Sequence, residues 1–68
     1  MEFVIVRFRE PRPVLIDGDE YGLTDETLRI NRGPHTFSLG GPADFTPPEQ
    51  TLKIVNTTEI HPQEVSFA

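Results

Sequence analysis

Proline or glycine interrupts this chain so often that no stretch of ten residues holds a helical period; seven prolines and five glycines punctuate it. Proline removes a backbone donor and fixes φ, and glycine weakens regular elements, so the segments between them must be short. Within those segments the apolar residues alternate, the signature of half-buried strands. Val4, Val6 and Phe8 alternate in the first, Val14 and Ile16 in the next, then Leu28 with Ile30, Phe37 with Leu39, Leu52 with Ile54 and Val65 with Phe67. Six or seven short strands at roughly 8–12-residue spacing predict a small all-β, antiparallel β-sandwich. Val4, Val6, Ile16, Ile30, Phe37, Leu39 and Ile54 are its expected core. At Leu23–Ile30, Thr24-Asp25-Glu26 has capping character and fits one helical turn, but flanking glycines and the β-branched Thr27 and Ile30 exclude a full helix. The longest loop is expected over Gly40–Pro48, whose prolines keep it out of any central strand.

Sixty-eight residues make one domain. A domain this short buries only about 60% of the surface its unfolded chain exposes, so its margin is small and association with another chain would add to it. Cysteine is absent, which excludes disulfides and thiolate zinc sites. A net charge of −5, with one lysine and five arginines, argues against nucleic acid and against polybasic membrane docking. The start, MEFVIVRFRE, has an apolar run too short for a leader or a membrane span. If the chain is full-length, a cytoplasmic location is expected.

The first strand is apolar on both faces. Val4, Val6 and Phe8 point one way, while Met1, Phe3 and Ile5 point the other, followed by Arg7 and Arg9. Such a strand is either central and covered, or it offers one face to a partner. The second reading makes Phe3, Ile5, Arg7 and Arg9 an interaction surface, with symmetric pairing of two first strands as the nearest arrangement.

Residues 14–39 carry a sequence of turns: Val14-Leu15-Ile16-Asp17-Gly18, Gly22-Leu23-Thr24, Leu28-Arg29-Ile30, then Gly33-Pro34-His35-Thr36-Phe37-Ser38-Leu39. With the strand at Phe3–Phe8 before it, this stretch resembles the PEGA family of small β-sandwich modules. It departs from the family in having Glu10-Pro11-Arg12-Pro13 before Val14, Asp25 where a proline follows Thr24, and no aromatic Gly-Tyr step after the third strand. The resemblance implies a non-catalytic module of the kind attached to bacterial envelope or signalling proteins.

No set of residues has the spacing that chemistry requires. His35 and His61 are the only histidines, and neither stands at HxH or HxxxH spacing; Glu59 precedes His61 by two residues. The acidic run Asp17-Gly18-Asp19-Glu20 has a glycine at the sixth position of a calcium loop, Gly22, but Leu28 occupies the twelfth, where a glutamate belongs. Thr24, Thr27, Thr57, Thr58 and Ser38 have no base at a useful spacing, and no phosphate-binding or nucleophile motif occurs. No enzyme activity, metal or cofactor is therefore expected. Tyr21 and Phe45 stand outside the alternations and are expected to plug the ends of the sandwich. The residues support a non-catalytic protein-interaction or structural module that self-associates as a homodimer or pairs with another protein through its first strand. The alternative is a small ligand-binding domain that uses the acidic turn and Tyr21 for a cation or carbohydrate.

Overall fold

β-Branched and aromatic residues suit a pleated, half-buried surface, and every alternating segment lies in or runs on from a strand of the computed structural model, which describes residues 1–68. In chain order the strands are β1 (Glu2–Arg7), β2 (Pro13–Ile16), β3 (Asp19–Leu23), β4 (Thr27–Ile30), β5 (Gly33–Leu39), β6 (Gln50–Ile54) and β7 (Gln63–Ser66). They form two sheets, ordered β4-β1-β7 and β3-β2-β5-β6, so the expected all-β sandwich is the fold. Leu23–Ile30 contains no helical turn. The chain instead reverses at Asp25, with φ +62°, and enters β4 directly.

The pairing differs from expectation in one place. β1 runs antiparallel to β4 but parallel to β7, with Val4 beside Gln63 and Val6 beside Val65. The other pairs, β2/β3, β2/β5 and β5/β6, are antiparallel. Side chains alternate with period 2 in both orientations, so alternation in Val65-Ser66-Phe67 carries no information about direction.

Two inner faces build the core. Val4, Val6, Leu28, Ile30 and Val65 project from the three-stranded sheet, and Val14, Ile16, Phe37, Leu39 and Ile54 from the four-stranded one; all are buried. The seven residues expected in the core all lie there. Each such side chain gains about 1.5–3 kcal/mol by leaving water, the main term available to a chain without disulfides. One end is closed by an aromatic trio in which Phe45 meets Phe8 and Phe67 edge to face, at centroid distances of 6.3 and 5.6 Å. Phe45 is thus the plug the sequence suggested. Its loop is held by reciprocal backbone bonds between Thr46 and Ala68 (2.8 and 2.9 Å).

Local polar groups fix the connections. Asp17 and Gly18 both adopt positive φ (+54° and +88°), the geometry of a tight two-residue hairpin between β2 and β3. Thr24, buried at 4% exposure, accepts from the Arg12 N–H and donates to the Glu10 carbonyl, and its own N–H donates to the Arg12 carbonyl. This one hydroxyl ties the end of β3 to the β1–β2 connection, satisfying groups that burial would otherwise leave unpaired.

Candidate functional site

β1 lies in the middle of its sheet, with β4 on one side and β7 on the other. This corrects the expectation that it pairs with a second chain, because its backbone groups are already used within the molecule. Its outer face also differs from an open apolar patch. Phe3 is half-buried and Ile5 is only 8% exposed. Ile5 is flanked by Thr27 on β4 and Glu64 on β7. Arg7 bridges to Asp25 (3.2 Å) and reaches Glu64 (3.9 Å). Long polar side chains around an isolated apolar one cover it with their aliphatic stems. Arg9 leaves this face altogether: its guanidinium lies 4.5 Å from the Phe8 ring centroid and bonds Asp44 at 3.0 Å.

The arginine that carries most contacts is Arg12, which the sequence did not single out. Its side chain is almost fully buried and donates to Glu10 (3.0 Å), to both Asp44 oxygens (2.8 and 2.9 Å) and to the Gly40 and Pro42 carbonyls. The hydrogen bonds from Arg12 hold the Asp44 carboxyl below the usual carboxylate range, and Asp44 and Glu10 in turn raise Arg12. A second anchor joins β1 to the segment after β6. Thr57 donates through both its N–H and its hydroxyl to Glu2, while the Phe3 N–H donates to the Thr57 hydroxyl. The Thr57 hydrogen bonds lower the Glu2 pKa. Both anchors satisfy buried polar groups, and no buried side-chain nitrogen or oxygen is left without a partner.

The acidic turn does not gather its carboxylates. Asp17 accepts from the Thr36 N–H (2.9 Å) and faces His35 Nδ1 (2.6 Å), interactions that lower its pKa in that order. Asp19 and Glu20 extend onto β3, and no three His, Asp or Glu side chains converge anywhere. His35 is a clamp between β5 and the β2–β3 turn. His61 sits in the Thr58–His61 turn, where its N–H donates to the Thr58 carbonyl and hydroxyl, and its ring makes no hydrogen bond.

Tyr21 is not an end plug. β3 is an edge strand, and its register against β2 slips so that Val14 faces Gly22 while Leu15 faces Glu20. Tyr21 is the extra residue of this bulge and stands 47% exposed, with Leu23 beside it at 42%. Leu23 lies opposite Pro13, and the half-buried Leu15 follows on the same outer face. Alternation in DEYGL is confined to Tyr21 and Leu23 with a glycine between them, too little to mark the strand or its patch. The other sheet edges carry polar outward residues: Thr27 and Arg29 on β4, Thr51 and Lys53 on β6, Glu64 and Ser66 on β7. Met1 and Ile60, the remaining exposed large apolar side chains, lie off the strands. Comparison with protein families, with curated proteins and with solved structures finds no match for this chain.

Proposed function

We propose that this domain is a non-catalytic protein-interaction module that works through the β3 edge and the outer face beside it. The observation that carries this reading is the pairing of Tyr21 and Leu23, both exposed, on a strand whose far side has no partner. An aromatic and a leucine held on a free edge supply the two things strand-edge recognition uses, main-chain groups for affinity and side-chain contact for selection. Among the four free edges only this one offers large apolar side chains. The bacterial envelope or signalling context implied by the PEGA resemblance is compatible with such a role.

Site-specific photocrosslinking tests the reading. p-Benzoylphenylalanine replaces Tyr21 or Leu23 in the full chain, with Lys53 on the β6 edge as the control position, and crosslinks are formed in extract of the native source. The expected result is one and the same protein, identified by mass spectrometry, from positions 21 and 23 and not from 53. Crosslinks from neither position, or equally from all three, would refute the proposal.

A further inference from the structure

We infer that the partner is an extended, lysine- or arginine-bearing segment of another protein, which adds to β3 as a fifth strand of the four-stranded sheet. The inference rests on the interaction-module reading and specifies its partner. Charge around the edge is of one sign. Asp19, Glu20 and Glu26 are exposed and make no ion pair, and the Glu26 carboxylate lies close to Gly22 in the middle of β3. Asp25 is already engaged by Arg7. Arg7, Arg9 and Arg12 all pair with carboxylates of their own chain, and none of their partners is Asp19, Glu20 or Glu26.

A second copy of the domain fits this edge poorly. Two chains of net charge −5, joined β3 to β3, would bring two sets of unpaired carboxylates together, and like charges across a strand pair are destabilising. Charged side chains are a device by which an edge avoids pairing with its own kind. The same charges favour a basic strand. On such a strand, alternate side chains fall on the outer face, where an ammonium or guanidinium reaches Glu20 and its aliphatic stem lies over Tyr21 and Leu23. Discrimination between self and partner then comes from the repulsive element as much as from the attractive one.

Titration of the 15N-labelled full chain with capped seven-residue peptides tests this. One peptide alternates lysine with valine, a second has glutamate for each lysine, and a third is the lysine peptide N-methylated throughout. The expected result is saturable shifts concentrated in the amides of residues 19–23 with the first peptide alone. Asp19→Lys/Glu20→Lys should weaken the lysine peptide by about tenfold or more and admit the glutamate peptide. No binding of the lysine peptide overturns the inference. So does equal binding of either control, or a footprint on β4, β6 or β7. A partner crosslinked at Tyr21 and Leu23 together with a failed titration would retain the interaction module and remove strand addition; absence of the crosslink removes the module itself.

Discussion

Asp17 holds His35 through a 2.6 Å contact between Oδ2 and Nδ1, and on the opposite side of the ring Nε2 lies 2.7 Å from the Asn31 carbonyl oxygen. Both neighbours are acceptors, so both nitrogens can donate only when the imidazole is protonated. Burial alone would lower the His35 pKa; the hydrogen bonds to Asp17 and Asn31 and the Asp17 charge outweigh it, and the net shift is upward. A raised folded-state pKa contributes stability that is complete below the unfolded value of about 6.5 and is lost as pH rises through the folded value. The thermal midpoint should therefore decline on the alkaline side of about pH 6.5. His35→Gln should flatten that decline. Identical profiles for the two proteins would show that folding leaves the His35 pKa unshifted.

Phe37 is the largest fully buried side chain, at 0% exposure. Truncation to alanine should cost about 3–5 kcal/mol, a large part of the stability of a domain of this size. Urea titration followed by circular dichroism measures it, and an unchanged midpoint would mean the cavity collapses without penalty.

Gly22 combines φ +155° with a close approach to β4: a Cβ there would sit 2.7 Å from Leu28 Cδ2. Leu28 belongs to the core and has little room to yield. Gly22→Ala should destabilise by about 1–3 kcal/mol. Leu28→Val removes the obstructing carbon, so the double variant should be less destabilised than the two single effects combined. Simple additivity would locate the cost in backbone strain alone.

Asp44→Asn removes the charge that Arg12 meets with two hydrogen bonds. The fold should persist with a lower thermal midpoint, and amide exchange should accelerate first in residues 40–49, whose Gly40 and Pro42 carbonyls share the same guanidinium. Uniform acceleration throughout the chain would indicate that Arg12 supports the whole sandwich rather than the loop.

The core was legible because alternation reports directly on which face of a strand is buried, and Val4, Val6, Ile16, Phe37 and Ile54 needed no other information. The turn at Asp17-Gly18 was legible from its residue types alone. The site was harder to read for two physical reasons. β1 is apolar on both faces, a pattern shared by exposed and central strands, and its partner β7 lies at the far end of the sequence. Tyr21 sits in a bulge, and which residue bulges is a property of the register between β2 and β3 that neither strand shows by itself. Arg12, between two prolines, has Glu10 close by in sequence but gives no local sign of Asp44 or of the carbonyls it meets, because those come from residues 40–44.

The parallel pairing of β1 with β7 has a kinetic consequence. The central strand of the smaller sheet gains its second neighbour only when Gln63–Ser66 arrives, and the Phe67 N–H then extends the ladder to the Arg7 carbonyl. That sheet cannot close until Gln63–Ser66 has left the ribosome, so one side of β1 waits without its neighbour. Loop-closure entropy is spent before the contact that rewards it, which places folding in the range of milliseconds to seconds, on the order expected for domains with high contact order. During that interval the edge of β1 that will meet β7 is open, and the acidic surplus of the chain opposes pairing between nascent copies.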